Sequence, residues 1–376
     1  MKLVFTILGT YNSGGMERVL ANKVNYLARL GHNITIVTTD QQNRVPFFEM
    51  DSSINHIDLA INYTIDIGKN LFKRGVSYFK NHTLHKKRLN DVLFELRPDI
   101  TISMFDNDAS FITNIKDGSK KILEIHFSRF KLLQYARGGV WKIIDSLRSR
   151  SNLNTVQKFD RFVVLTEEDK TYWRELPNIV VIPNANSFES DIQSTLDSKQ
   201  VLAIGRLDYQ KGFDELIKIW AKIAEYFPDW KLNIYGHGPL KNDFQSLIDS
   251  LNVQDSVQIN QPTKDIKEVF LNHSIVVMTS RYEGLPMVLL ESQVMGLPMI
   301  SYACKCGPRD IIQDGENGFL INEKDQVQFA SKLTYLMEQN SLRKQMGLEA
   351  FENSKNFSED IIMRRWLDLF NDVLSK

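Results

Sequence analysis

Glu283 and Glu291 are two carboxylates eight residues apart, in the stretch Glu283-Gly284-Leu285-Pro286-Met287-Val288-Leu289-Leu290-Glu291. An apolar run at 275–278 precedes them and reads as a strand, so Glu283 falls in the loop that follows it. Pro286 is well placed to open a helix, because proline in the first turn gives up no hydrogen bond. Glu291 then lies about two turns farther on. One acid can meet a ligand at the carboxyl edge of a sheet while the other grips the same ligand farther along. The helix start between them, at Met287 and Val288, offers amides and a partial positive charge to an anion such as a diphosphate. This is the outline of a nucleotide-sugar site.

A second loop supplies cations. Gly205-Arg206-Leu207-Asp208-Tyr209-Gln210-Lys211-Gly212 follows the predicted strand 201–204. Arg206 with its planar fork and Lys211 as a point charge can converge on a diphosphate. Alone, the loop reads equally as a solvated basic turn; beside Glu283 and Glu291 it reads as a phosphate clamp. Asn12-Ser13-Gly14-Gly15-Met16-Glu17 follows the first predicted strand, and Gly14 and Gly15 let backbone amides approach a ligand. It is not G-x-G-x-x-G, so the dinucleotide fingerprint is unmet and a plain βα turn fits equally. Gly236-His237-Gly238-Pro239 is a lone G-x-G and reads as a structural turn. His126, in Glu124-Ile125-His126, ends a strand, either as a structural histidine or as a group facing a ligand. Asp106-Asn107-Asp108 could hold a divalent cation. A polar turn is the preferred reading, because Arg206 and Lys211 already supply the charge a metal would bring.

Elements of one kind position all of these. Apolar runs at 3–8, 34–38, 100–104, 121–125, 162–165 and 179–182 alternate with amphipathic stretches, the clearest at 16–30. After Pro183-Asn184-Ala185-Asn186 a second series starts, with runs at 201–204, 232–235, 257–259, 275–278 and 299–301 and helices at 213–226 and 239–251. This βαβ rhythm predicts parallel sheets covered by helices, with ligands at the carboxyl ends of the strands. A last helix at 358–374 carries Ile361, Ile362, Trp366, Leu369, Phe370 and Val373 as an apolar face. With 376 residues, two domains are expected, at 1–186 and 187–357, followed by the helix 358–376.

The bulk numbers narrow the class. The formal net charge is zero, which argues against nucleic acid as a partner. It divides unevenly: 26 Lys and Arg face 20 Asp and Glu through Ser190, and 20 face 26 thereafter. An anionic partner is therefore expected on the first half. Two segments there are basic and aromatic. Lys69, Phe72, Lys73, Arg74, Tyr78, Phe79, Lys80, Lys86, Lys87 and Arg88 make one. Arg129, Phe130, Lys131, Tyr135, Arg137, Trp141, Lys142, Arg148 and Arg150 make the other, with Asp145 the lone acid. They read as solvated helix faces or as contacts to an anionic membrane surface or a lipid-pyrophosphate acceptor. Cys304 and Cys306 have the spacing of neither a zinc site nor a redox pair and fit a reducing compartment. No apolar run spans a bilayer. The expectation is a cytoplasmic protein, peripheral on the inner face of the plasma membrane if it touches lipid.

Taken together, Gly14-Gly15-Met16-Glu17-Arg18, Gly205-Arg206 with Lys211-Gly212, Gly236-His237-Gly238-Pro239-Leu240, the Glu283/Glu291 pair, and Gly307-Pro308-Arg309-Asp310 with Asp314-Gly315-Asn317-Gly318 resemble the retaining glycosyltransferases of family four. The resemblance implies an α/β GT-B fold, two Rossmann-like domains facing a central cleft, with the final helix crossing back to the first domain. It implies that Arg206 and Lys211 neutralise the donor diphosphate and that Glu291 binds the ribose. Glu283, with the amides near Gly284 and Leu285, would hold the donor sugar, and His126 would lie near the transferred sugar. Gly14 and Gly15 would close on the diphosphate and the acceptor, and Gly236, Met287 and Val288 would line the donor site. It further implies a metal-independent enzyme without a cofactor. Its donor would be a UDP-sugar, leaning to galactose or N-acetylgalactosamine. Its acceptor would be lipid-linked, a glycolipid or a polysaccharide. A GT-B sugar-nucleotide epimerase and a non-catalytic sugar-nucleotide-binding subunit are the alternatives; an NAD-dependent oxidoreductase lacks its fingerprint here.

Overall fold

Short apolar runs build two all-parallel sheets in the computed structural model, which describes every residue except 67–70, 130, 132–149 and 264, and no side chain of 66–75. One compact unit comprises Met1–Leu165, Lys170–Pro183 and Ile362–Lys376; the other comprises Thr166–Asp169 and Asn184–Ile361.

The first unit holds β1 (Lys2–Ile7), β2 (Asn33–Thr38), β3 (Asn55–Asp58), β4 (Ile100–Ser103), β5 (Lys120–Glu124), β6 (Arg161–Val164) and β7 (Ile179–Val181), in the order β3-β2-β1-β4-β5-β6-β7. The central strands are buried almost throughout because helices cover both faces of a parallel sheet, so they read as apolar runs rather than alternating patterns. The helix Gly15–Arg29 buries Val19, Leu20, Val24 and Leu27, one stripe of a 3.6-residue period. β3, with the sequence Asn-His-Ile-Asp, is a mostly exposed edge strand, and it carries no apolar run by which sequence could announce it. The helix Glu359–Leu374 buries Ile362, Met363, Trp366, Leu369, Phe370 and Val373. Ile361, placed on that face by periodicity, is instead 41% exposed, and Met363 takes its place.

The second unit holds β8 (Gln200–Ile204), β9 (Lys231–Tyr235), β10 (Val257–Asn260), β11 (Ile275–Met278), β12 (Met299–Tyr302) and β13 (Gly318–Ile321), ordered β10-β9-β8-β11-β12-β13. Its core gathers Trp220, Phe213, Leu216, Ile234, Phe329 and Leu333 around this sheet. The helix expected at 213–226 ends at Ala221 and continues as a 3-10 turn, Ala224–Tyr226. The helix Met287–Val294 starts after Pro286, which caps it in an extended conformation. Glu291 is therefore little more than one turn into the helix, not two. Among the described residues, no helix is long and apolar enough to cross a membrane.

Candidate functional site

In the second unit, parallel strands bring the loops after β8, β9 and β11 to one sheet edge. Lys211 Nζ lies 2.7 Å from Glu283 Oε1, and both side chains are largely buried. Two residue types singled out 72 positions apart thus form one ion pair at a strand end. Gln210 Nε2 approaches Glu283 Oε2 at 3.5 Å and donates to the Tyr282 carbonyl at 3.0 Å. Arg206 stands apart from the pair. Its guanidinium is 2.8 Å from Asp208 and 65% of its side chain is exposed, so it can reach an incoming anion.

The backbone that carries Lys211 is held by specific groups. Asp208 caps the 3-10 turn Tyr209–Lys211 through the Lys211 amide. Gly212 has φ +64°, and a Cβ there would strike the Thr279 carbonyl oxygen, so glycine is required on both counts. The Thr279 hydroxyl donates to the carbonyls of Lys211 and Gly212 at 3.2 and 3.0 Å. Arg281 completes the attachment, pairing with Asp214 and Glu215 and lying over the Tyr209 ring at 4.2 Å. Burial works against the Arg281 cation, but the two carboxylates outweigh it and raise its pKa. Gly236 packs where a Cβ would collide with the Gly205 carbonyl, so it serves the close packing of two strand ends. Leu285 and Val288 are buried along the Glu283–Glu291 stretch, and Met287 Sδ accepts from Asn184 Nδ2 at 3.4 Å.

In the first unit, His126 follows β5, and its Nε2 lies 3.1 Å from Glu124 Oε1. Lys23, from the helix Gly15–Arg29, contacts both Glu124 oxygens at 2.5 and 2.6 Å. Burial opposes the Glu124 charge, but Lys23 and His126 prevail and hold its pKa down at about 2. Gly14 caps the same helix, and a Cβ there would strike the Glu17 carboxylate. Burial raises the Glu17 pKa, against a hydrogen bond from Asn12 and attraction to His126. Asp106 caps the 3-10 turn Asn107–Ser110, and Asp108 accepts from the Thr6 hydroxyl at 2.6 Å. Burial, with Asp108 alongside, pushes the Asp106 pKa up to about 7.

Comparison with known proteins joins these two edges to one family. Residues 13–186 match the family description "Glycosyltransferase Family 4", and residues 186–353 match "Glycosyl transferases group 1". An uncharacterized glycosyltransferase of Methanocaldococcus jannaschii is 30% identical over 329 residues, covering 73% of this chain and 80% of its own. The chain belongs to the family four glycosyltransferases. A second relative of this glycosyltransferase is a Campylobacter jejuni enzyme named GalNAc-α-(1→4)-GalNAc-α-(1→3)-diNAcBac-PP-undecaprenol α-1,4-N-acetyl-D-galactosaminyltransferase, 26% identical over 99% of both chains. Among solved structures, an S. aureus TarM variant superposes with a TM-score of 0.79 at 18% identity, over 98% of this chain and 99% of its own. The fold is therefore GT-B.

Within this glycosyltransferase, Lys211 and Glu283 meet, whereas Glu291 sits on the helix and Arg206 on the loop rim. Sequence reasoning passed over Thr279, Arg281, Lys23 and Glu124. Two signals were present: Arg281 lies two residues before Glu283, and Glu124 two before His126. Of the basic and aromatic segments, Lys69, Phe130, Tyr135, Arg137, Trp141, Lys142, Asp145 and Arg148 lie outside the described residues, as do the side chains of Phe72, Lys73 and Arg74.

Proposed function

We propose that this protein transfers a hexose from UDP to a hydroxyl of a lipid-linked or glycan acceptor, with retention of anomeric configuration. The observation that carries the reading is the Lys211–Glu283 pair, with Arg206 exposed beside it, at the carboxyl edge of the second sheet. Loss of the diphosphate from the anomeric carbon is the barrier. Lys211 and Arg206 stabilise the charge that develops on the leaving oxygens, in place of a metal ion. A leaving phosphate oxygen then takes the acceptor proton as the acceptor oxygen bonds to the anomeric carbon on the same face. No enzymic nucleophile is required, unlike the two-carboxylate glycosidases. Glu291 is assigned to the ribose hydroxyls, Glu283 with Gly284 and Leu285 to the sugar, and Gly14 and Gly15 to the diphosphate and acceptor.

The relatives support the choice of substrates. The Campylobacter jejuni protein is named for N-acetylgalactosamine transfer to an undecaprenyl-diphosphate-linked sugar, and the S. aureus TarM variant was crystallised with UDP. Galactose or N-acetylgalactosamine is the donor sugar to try first. On the helix Leu71–Leu96, Val76 and Phe79 are exposed beside Lys80, Lys86 and Lys87, a surface suited to anionic lipid on the cytoplasmic face. Flotation with anionic but not neutral vesicles is expected; equal recovery from both would remove the membrane from this reading.

Calorimetric titration with UDP, GDP and NAD, with and without EDTA, tests the donor assignment. UDP binding that EDTA leaves unchanged is the expected result. Preference for GDP would change the donor, and binding of NAD alone would overturn the site. Turnover of a UDP-sugar with an acceptor, followed by the anomeric coupling in the product, tests retention. Conversion of the UDP-sugar into its epimer without acceptor would instead identify an epimerase.

A further inference from the structure

Lys23 and Glu124 are 5% and 1% exposed, and nothing assigned so far uses them. A buried ion pair is a poor device for stability alone, because desolvating two charges cancels most of their attraction and apolar side chains would serve as well. This pair is also elaborately held. Lys23 spans both carboxylate oxygens and sits 3.7 Å from the centre of the Trp366 ring. Its carboxylate partner ends at the His126 ring, with Nε2 at 3.1 Å from Oε1. The contact lies at ion-pair distance but does not meet hydrogen-bond geometry. The opposite ring nitrogen, Nδ1, is also buried and, like Nε2, finds no hydrogen-bond partner among the described residues, so what distinguishes the two is the carboxylate standing against Nε2.

We propose that Glu124, clamped by Lys23, is the positioning residue of His126: it draws the ring proton to Nε2 and leaves Nδ1 as the acceptor for a sugar hydroxyl. The reason is electrostatic. A carboxylate facing Nε2 repels a lone pair and attracts an N–H, so the neutral ring takes the Nε2–H tautomer. Nδ1 is then obliged to accept, and a buried acceptor without a partner favours any ligand hydroxyl that reaches it. Lys23 keeps Glu124 ionised and its carboxylate plane fixed, while Glu17, on the same helix as Lys23, is the other acid attracted to His126. The activity part of this inference rests on the transferase reading; the tautomer part does not.

Two double variants separate positioning from mere packing. K23M/E124Q and K23M/E124M both remove the buried charges together, so neither leaves one unpaired, and the thioether that replaces the Lys23 ammonium retains a sulfur contact with Trp366. Of the two, only K23M/E124Q keeps an oxygen at position 124 that can accept from Nε2–H. Long-range proton–nitrogen spectra of imidazole-labelled full-length protein should show the Nε2–H tautomer in the wild type and in K23M/E124Q, and its loss in K23M/E124M. Release of UDP from UDP-galactose and UDP-N-acetylgalactosamine should fall about 10- to 100-fold in K23M/E124M, by analogy with the loss of groups that orient metal-bound histidines. K23M/E124Q should recover most of it, with UDP affinity unchanged in both. A parallel loss in acceptor-free hydrolysis assigns Nδ1 to a hydroxyl of the donor sugar; a loss confined to transfer assigns it to the acceptor. Identical behaviour of the two variants, or an Nδ1–H tautomer in the wild type, would overturn the proposal. A wild type that binds no UDP would count against the transferase reading, and the spectra would still decide the tautomer.

Discussion

Lys211 and Glu283 show how much one residue pair can carry. The carboxylate is nearly buried and the ammonium is its counter-ion, so on the proposed function an arriving diphosphate would find a cation already placed and partly desolvated. Lys211→Ala should lower transfer by about 10²–10³-fold, the size of effect seen when one preorganised charge-stabilising group is removed. Near-normal UDP release from the variant would remove Lys211 from the phosphate clamp. Asp106 allows a prediction of opposite character. Its pKa in the folded protein, about 7, lies above that of an unfolded aspartate, so the folded state holds the proton more tightly. Stability is therefore lost as pH rises from about 4 toward 7, the window between the two values. In Asp106→Asn that loss disappears, and the stability gained over the wild type should grow with pH across the same window in urea titrations. A gain independent of pH would mean that Asp106 titrates normally. Glu283 and Lys211 were legible in sequence because each stands in a recognisable strand-end loop. Lys23 and Glu124 were not, because what defines them is a partner 101 positions away.

At the scale of elements, the loop Gly205–Gly212 works only because the segment after β11 holds it. Thr279 and Arg281 fasten it from one side, and Gly212 permits the turn that joins it to the helix Phe213–Ala221. Gly315 in the same unit also has positive φ, +83°, but a Cβ there would meet open space. Gly315→Ala should therefore cost only the left-handed backbone, about 1 kcal/mol. Gly212→Ala adds a collision with the Thr279 carbonyl and should cost about 3 kcal/mol or more, with a matching loss of UDP affinity. Equal urea midpoints for the two variants would show that the loop can relax away from Thr279. The helix boundaries followed the same logic. Periodicity located the helix beginning at Phe213, but its end at Ala221 depends on where Lys222 and Ile223 can bond back to Ile219 and Trp220, which periodicity does not record.

For the molecule as a whole, the last helix belongs to the first unit from Ile362 onward, although the second unit intervenes in sequence. Trp366 is 1% exposed and lies under Lys23. Trp366→Ala should destabilise the first unit by about 3–5 kcal/mol, the range for deleting a large buried aromatic. A loss below about 1 kcal/mol would mean that this helix is not docked in solution.

The alternation of strands and helices, the two-domain α/β class and the strand-end placement of the cation and carboxylate loops were determined by the sequence itself, since each depends on local periodicity or on a spacing of a few residues. Tertiary structure alone decided that Lys211 pairs with Glu283 while Arg206 stays at the rim, that β3 and β13 complete the sheets, and that His126 stands against Glu124 and Lys23. Those outcomes depend on which strand ends a parallel sheet brings to one edge. Residues as far as 101 positions apart meet through the packing of apolar faces that carry no record of the polar contacts they create.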